Sequence, residues 1–494
     1  MAANPRTAAV LALACGALTV AGFSPFGFAV VPYATLAVLT ALWLRAEAPR
    51  QASVIGFAFG IGLFGAGVSW IYVSLHDFGS MPAPLAALAT LAYCALLALF
   101  PALVGNLQAR IEGHSTLRAL VLIPALWTLS EWLREWLLTG FPWLSLGYSQ
   151  IDWPLSGIAP IGGVFAVTLA LTLAAGLVSV AASLRGVHSI VAAASLALLL
   201  GGSWWLRGIE WTQAQGGPVR VALVQGNVPQ SLKFEESRYA ATLETYARLV
   251  ESSRARLIVL PETAIPRFLD AVDPRYIERL ERYARSRGAD ILVGVPLRDA
   301  SQRYFNGAVS LGASKTQFYA KSHLVPLGEF VPREFGWIVS VLKIPLTDFS
   351  RGGPQQRPMA IAGERVAVNI CYEDAFGEEI IRQLPEATLL ANLSNVAWFG
   401  RSLAPDQHLQ ISRMRSLETG RMMLRATNTG VTAIIGARGE VIAAMPQYEE
   451  GVLEGQAQGY AGATPYVRWG NVPVLILAFA MLLTAWFALR RRGG

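Results

Sequence analysis

A carboxylate, an ammonium and a thiol stand at three equivalent points of this 494-residue chain. The apolar run Leu257–Leu260 leads into Pro261-Glu262, Gln317–Tyr319 into Ala320-Lys321, and Val366–Ile370 into Cys371-Tyr372-Glu373-Asp374. Each run reads as a short strand, and the carboxyl ends of strands are where α/β proteins gather their chemistry. Of the three cysteines, Cys15 and Cys94 fall in long apolar runs, where cysteine packs as a small hydrophobe. Cys371 is the lone thiol of the remainder and has no disulfide partner there. A thiol must lose its proton to attack a carbonyl. His323 and His408 are the histidines of that part of the chain, and Glu262 is an alternative base. A nearby Lys321 favours both thiolate and carboxylate, and its ammonium suits the oxygen that gains charge in a tetrahedral intermediate. The competing reading is an ordinary Glu262–Lys321 ion pair with Cys371 as a core residue. Three dispersed cysteines make no Cys-rich metal site, and no cofactor is expected.

These residues need a scaffold. Val219–Val224, Leu257–Leu260, Ile291–Val293, Asn306–Leu311, Gln317–Tyr319, Val366–Ile370, Leu389–Ala391, Met423–Ala426 and Val431–Ile435 read as strands. Helical periodicity covers Glu236–Glu251, Pro274–Ser286, Glu378–Gln383 and Pro405–Thr419. The pattern is mixed α/β with layered sheets and helices. Neither a dinucleotide fingerprint nor a P-loop occurs.

Composition divides the chain. Hydrophobic residues make up 53% and charged residues 15%, which excludes a disordered chain and an all-soluble enzyme. Residues 1–207 hold 14 of the 73 charges. Apolar runs at about 7–22, 28–44, 52–74, 84–107, 118–138, 158–182, 187–206 and 472–489 predict eight membrane spans. Arg6 before the first run also suits a signal peptide, but no small-x-small site followed by a polar stretch favours cleavage. Arg6, Arg45, Arg50, Arg110, Arg118, Arg185, Arg490, Arg491 and Arg492 fall on one side of these spans, against Arg134 on the other. The positive-inside rule then places both termini in the cytoplasm and turns residues 208–471 outward, to the periplasm in a bacterium with two membranes. The expected domains are a seven-span region at 1–207, an outward domain at 208–471, and an eighth span with a basic tail at 472–494. The net charge of +7 comes from 36 Arg and 4 Lys without a basic stripe on the soluble part, so no nucleic-acid partner is expected. Gly56, Gly60, Gly62, Gly65 and Gly67 suit close helix packing. Glu131, Arg134 and Glu135 sit near an outer span end, to pair with each other or to meet lipid headgroups.

Longer strings extend the pattern: VQGNVPQSLKF at 224–234, VLPETAIP at 259–266, YFNGAVSLG at 304–312, YAKSHLVPLGEFVP at 319–332, VNICYEDAF at 368–376, NLSNVAWF at 392–399 and RMRSLETGRMMLRATNTG at 413–430. With the membrane arrangement, they make the whole chain resemble the apolipoprotein N-acyltransferase family. Its outward domain is of the carbon–nitrogen hydrolase (nitrilase) superfamily. The resemblance implies a polytopic α-helical bundle joined to a periplasmic nitrilase-like α-β-β-α sandwich. It implies Cys371 as nucleophile, Glu262 as general base and Lys321 as stabiliser of the intermediate. Glu329 would be a supporting group or an acid/base helper beside Lys321, Tyr372 a backbone oxyanion donor, and Glu373 a group orienting or polarising the lysine. Phe234 replaces a Trp common in the family, so an aromatic contact survives without the indole hydrogen bond. Trp337, Asn392, Trp398 and Phe399 complete the candidate substrate contacts.

The implied reaction takes the sn-1 acyl chain of a phospholipid, phosphatidylethanolamine favoured, onto Cys371. The thioester then passes it to the α-amino group of a diacylglyceryl-cysteine on an apolipoprotein, the last step of lipoprotein maturation. The apolar stretch Phe330–Phe349, with Trp337 and Ile338, is expected to meet lipid or act as a lid. Two alternatives stay open: a membrane-tethered amidase or nitrilase with water as final acceptor, and a transporter whose outward domain binds lipid or peptide without catalysis.

Overall fold

The computed structural model describes residues 4–111, 115–326, 328–330 and 348–490. The chain divides into two compact units. One comprises Met1–Tyr72, Ala83–Glu210 and Arg468–Gly494, the other Val73–Pro82 and Trp211–Val467.

The first unit is a helical bundle. Among the described residues, Pro5–Gly22, Ala83–Ala109, Pro154–Ser183 and Val187–Leu206 are long and apolar enough to cross a membrane. The bent pair Pro49–Gly67 and Ile71–Phe78 makes a fifth if it is one span. The expectation of eight spans is therefore corrected to four or five. Val31–Leu44 has 14 residues, about 21 Å at 1.5 Å per residue, against a hydrocarbon thickness of about 30 Å. Val472–Ala488 is likewise a shorter apolar helix. The run at 118–138 stays helical, wider in pitch over Arg118–Leu122 and α-helical over Ile123–Trp136, and it carries the charges Arg118, Glu131, Arg134 and Glu135.

These three charges are buried. Glu131 accepts from Trp127 Nε1 at 3.0 Å, Leu146 N at 2.9 Å and Thr168 Oγ1 at 2.8 Å. Arg134 donates to the carbonyls of Phe141 and Trp143 at 2.5 and 2.6 Å. Glu131 and Arg134 thereby hold the 141–146 loop inside the bundle. Arg118 is buried as well, bonded to Gln108 and the Trp43 carbonyl.

Glycine sets the closest helix approaches. A Cβ on Gly56 would lie 2.3 Å from the Pro101 carbonyl oxygen, and one on Gly62 would lie 2.0 Å from that of Leu13. The Pro49–Gly67 helix thus packs backbone to backbone against helices on either side. Gly65 has nothing within 4 Å. Gly56→Val is expected to destabilise the bundle by about 1–3 kcal/mol through overpacking. Gly65→Ala is expected to change it by less than about 0.5 kcal/mol. Unfolding midpoints of the two variants in detergent check this contrast.

Among the described residues the second unit carries twelve strands: β1 Gln213–Gln225, β2 Leu257–Val259, β3 Asp290–Arg298, β4 Tyr304–Gly312, β5 Phe318–Ala320, β6 Met359–Ile361, β7 Glu364–Ile370, β8 Leu389–Ser394, β9 Met423–Thr427, β10 Ala433–Ile435, β11 Val441–Ala444 and β12 Gly451–Ala461. They form two six-stranded sheets, ordered β12-β1-β2-β3-β4-β5 and β11-β10-β9-β8-β7-β6. β1-β2-β3 and β7-β8-β9 run parallel within them, and the outer pairings are antiparallel.

Alternation along the strands sorts the core. Val221, Leu223, Leu257 and Val259 share one apolar cluster with Val366, Val368, Leu389 and Leu424 of the other sheet. The opposite face of the first sheet, with Ala222, Val224 and Ile258, packs on Tyr246 and Leu280 from the helices Glu236–Ser252 and Pro274–Ser286. The expected α-β-β-α sandwich is corrected to two open, uncurled sheets. No ladder joins them, and each keeps two edge strands among the described residues.

Candidate active site

Three strand exits bring the candidate residues together, and two are held by strained backbone. After β2, Leu260 N donates to the Leu292 carbonyl at 2.8 Å, and the chain turns through Pro261-Glu262-Thr263 with Thr263 at φ +49°. Gly294 of β3 permits this turn, since a Cβ there would lie 2.3 Å from Pro261 O and 2.7 Å from Glu262 Cα. Lys321 follows β5 and is anchored by its N–H on the Asn306 carbonyl at 2.8 Å. Cys371 follows β7 at φ +53° and opens the tight turn Cys371–Ala375. A left-handed conformation costs a side-chain-bearing residue of order 1–3 kcal/mol and persists where surrounding contacts enforce it.

The carboxylates and the ammonium form one hydrogen-bonded cluster. Lys321 Nζ lies 2.9 Å from Glu329 and 3.6 Å from Glu262 Oε1. Asn306 Nδ2 donates to both carboxylates, at 2.7 Å to Glu262 and 2.6 Å to Glu329. Asn395 N donates to Glu262 Oε2 at 2.9 Å, and Val325 N to Glu329 Oε2 at 2.8 Å. Lys321 is 1% exposed. Burial opposes its charge, but Glu329, Glu262 and Cys371 hold the ammonium's pKa above its ordinary value.

Cys371 lies within electrostatic reach of the cluster. Burial pushes its thiol up to about 12, Glu262 adds to the rise, and Lys321 and the Asn395 N–H oppose it. The sequence argument favoured a thiolate beside Lys321; in the folded protein desolvation outweighs that attraction. A thiol held in this way would need a neighbouring base to take its proton before or during any attack.

The other candidates are placed as follows. Glu373 accepts from Tyr319 OH, Ser322 N, His323 N and Ile370 N, at 2.6 to 3.1 Å. It thereby ties the segment after Lys321 to the turn of Cys371. Burial raises its pKa to about 7 against the pull of Lys321 and these N–H groups. The Tyr372 ring packs 5.1 Å from Phe376 and 5.9 Å from His323. Asn392 is buried and donates to the Cys371 carbonyl at 3.1 Å. Trp398 and Phe399 are half-buried in the turn Val396–Phe399. Ser74 Oγ donates to the Trp398 carbonyl at 2.8 Å, and the Phe78 ring lies 6.1 Å from the indole. Phe234 is 38% exposed. Trp337 and most of the Phe330–Phe349 stretch lie outside the described residues.

Two features escaped sequence reasoning. The first is a polar network below Cys371, where Asn369, Asn392 and Arg425 stand side by side across β7, β8 and β9. Arg425 Nη1 reaches Asn392 Oδ1 at 2.7 Å and Asp374 Oδ2 at 3.2 Å. Asp374 also accepts from Ser412 and, at 2.7 Å, from His408 Nε2, which lies 3.2 Å from the Cys371 carbonyl. Both neighbours of Nε2 are acceptors, so Nε2 carries the proton, and His408 holds the Cys371 backbone rather than its sulfur. The second is Lys233, 2% exposed, whose Nζ donates to the Glu262 carbonyl at 3.1 Å. A signal existed: in a chain with 36 Arg, two of the 4 Lys meet at one glutamate. Among the described residues no group of three His, Cys, Asp or Glu side chains gathers as a metal site.

Residues 15–177 match the family model for the apolipoprotein N-acyltransferase N-terminal domain, and residues 220–466 match that for carbon-nitrogen hydrolase. An apolipoprotein N-acyltransferase of Nitrosomonas europaea is 51% identical over 478 residues, covering 96% of each chain. Those of Methylococcus capsulatus and Chromobacterium violaceum are each 45% identical, covering 98% and 100% of this chain and 97% and 96% of their own. With identity of this extent running through both units, the chain belongs to the apolipoprotein N-acyltransferase family.

Proposed function

We propose that the protein is a phospholipid:apolipoprotein N-acyltransferase working by two-step covalent catalysis at Cys371. In the first step Glu262 takes the thiol proton as sulfur attacks the sn-1 ester carbonyl. The S–C bond forms, the ester C–O bond breaks, and the proton passes to the departing lysophospholipid oxygen. In the second step the α-amino nitrogen of diacylglyceryl-cysteine attacks the thioester. The N–C bond forms as Glu262 takes the amine proton, the C–S bond breaks, and Glu262 passes that proton to sulfur. Lys321 and the Tyr372 N–H face the oxygen that becomes negative in each tetrahedral intermediate. Glu329 holds the lysine, and Glu373 holds the two segments that carry lysine and cysteine.

The observation that supports this reading is a buried thiol within electrostatic reach of the Glu262–Lys321 ion pair. Its high pKa suits attack coupled to proton transfer better than a standing thiolate, which would be exposed to side reactions. The long apolar helices fit a multi-pass inner-membrane protein. Residues 208–471 then face the periplasm, with both termini cytoplasmic, by the Arg asymmetry. Both substrates are lipid-anchored, so sharing one membrane surface removes much of the entropic barrier to their meeting. Phosphatidylethanolamine is the favoured donor, with Phe234, Trp337, Trp398 and Phe399 as acyl or headgroup contacts.

Incubation with phosphatidylethanolamine labelled in the sn-1 chain is expected to leave a hydroxylamine-sensitive label on the Cys371 peptide. Adding a diacylglyceryl peptide with a free amine discharges the label onto the peptide, and acetylating that amine blocks the discharge. An unlabelled Cys371 peptide overturns the mechanism. Discharge to free fatty acid alone makes the protein a hydrolase.

A further inference from the structure

Lys233 is a buried ammonium that the mechanism above leaves idle. It lies in the turn residues before the helix Glu236–Ser252, and its Nζ donates to the main-chain oxygen of Glu262. It also interacts electrostatically with the Glu262 carboxylate and with Cys371. Lys321 approaches the same carboxylate from the exit of β5. The base is thus flanked by two cations carried on different elements.

The charge balance shows what the second cation does. Glu262 and Glu329 bring two negative charges, and Lys321 supplies one positive charge. The charged groups acting on the sulfur are Glu262, Lys321, Glu329, Lys233 and Arg425. Arg425 is already paired with Asp374. Without Lys233 the cluster is net negative before any charge reaches sulfur or the substrate oxygen. With it, the cluster is neutral and accepts the charge that develops during attack. In a water-poor site a unit charge a few ångströms away is worth a pKa shift of about one or more.

We propose that Lys233 is a positioning residue of the reaction: it balances the Glu262–Glu329 carboxylate pair so that negative charge can develop at Cys371, and it fixes the Glu262 main chain in its strained turn. Lysine suits this place better than arginine because a compact ammonium reaches one carbonyl where a planar fork needs several acceptors. Burial draws the Lys233 pKa down to about 8, against the pull of Glu262 and Cys371. The charge is therefore present below about pH 8 and fades above it, which gives the role a distinctive pH signature.

The inference rests on Cys371 being the nucleophile, and its test uses neither lipid nor lipoprotein. In the full-length protein with Cys15→Ala and Cys94→Ala, Cys371 is the sole thiol. Its alkylation by iodoacetamide is followed by mass spectrometry from pH 6 to 10 in the parent, Lys233→Gln and Lys233→Met. Gln keeps a donor for the Glu262 carbonyl without the charge, and Met removes both. Both variants are expected to react about tenfold more slowly than the parent at pH 7, with the gap closing as pH rises through about 8. Profiles that superimpose on the parent's overturn the proposal, and so does slowing confined to Lys233→Met, which would reduce Lys233 to a structural hydrogen bond. If Lys233→Met does not accumulate folded, Lys233→Gln alone decides. A parent without an acyl adduct at Cys371 overturns the acyltransfer mechanism and leaves the alkylation result readable.

Discussion

Cys371→Ala lowers acyl transfer by at least about 10⁴-fold, as expected when a covalent nucleophile is removed and the rest of its machinery stays. The size of the loss follows from the site. Cys15 and Cys94 belong to the helical unit, so the catalytic unit holds no second thiol to stand in. Lys321 and Glu262 remain and still polarise a carbonyl, but no atom is left to carry the acyl chain. Cys371→Ser is expected to fall nearly as far. Its hydroxyl is a weaker acid and a poorer leaving group from the tetrahedral intermediate than the thiol for which Glu262 is placed. Neither change alters the φ of +53° that the turn imposes on this position, so unfolding midpoints should move little. The measurement is transfer of labelled acyl chain to a diacylglyceryl peptide, with near-ultraviolet circular dichroism to confirm the fold. Transfer by the alanine variant within tenfold of the parent would remove Cys371 from the chemistry.

Much of this site was legible because its parts are local. A strand of β-branched and aliphatic residues followed by a polar group announces itself, and β2, β5 and β7 end within a residue of where their patterns end. The helices Glu236–Ser252 and Pro274–Ser286 were equally plain, being amphipathic over several turns. β12 was not. Its Gly451, Gly455 and Gly459 weaken strand propensity, and only the tertiary structure gives them purpose: a Cβ on Gly455 would lie 2.5 Å from Ile434, and one on Gly459 would lie 2.3 Å from Glu364. The spans failed for a different reason. Hydropathy registers an apolar run without knowing that Val31–Leu44 is helical for only 14 residues or that Glu131 and Arg134 are committed to a loop. Lys233 and Asp374 were invisible as function because their roles depend on partners far along the chain, Glu262 for one and His408, Ser412 and Arg425 for the other.

Asp374→Ala is expected to destabilise the catalytic unit by about 3–5 kcal/mol, the usual cost of stripping a buried ion of its partner. The Arg425 guanidinium is fully buried, with Asp374 as counter-charge at 3.2 Å and further contacts to Asn392 Oδ1 and Ser412 Oγ. Burial works against the Asp374 carboxylate, yet His408, Arg425 and Ser412 hold its pKa below the ordinary value. A depressed carboxyl pKa stabilises the fold above the unfolded value of about 3.9, and that stabilisation is lost as pH falls through the folded value. The gap between parent and variant should therefore be full near neutrality and narrow on strong acidification. Denaturant midpoints at constant slope measure it. Asp374→Ala combined with Arg425→Met should recover most of the loss, because removing both members of a buried pair costs far less than removing one. The catalytic consequence is separable. His408 and Asn392 both hold the Cys371 carbonyl, and His408 is oriented by Asp374, so the double variant should stay folded yet acylate more slowly than the parent. A double variant as unstable as the single one would show that the cost lies in Asp374's bonds to Ser412 and His408 rather than in the stranded guanidinium.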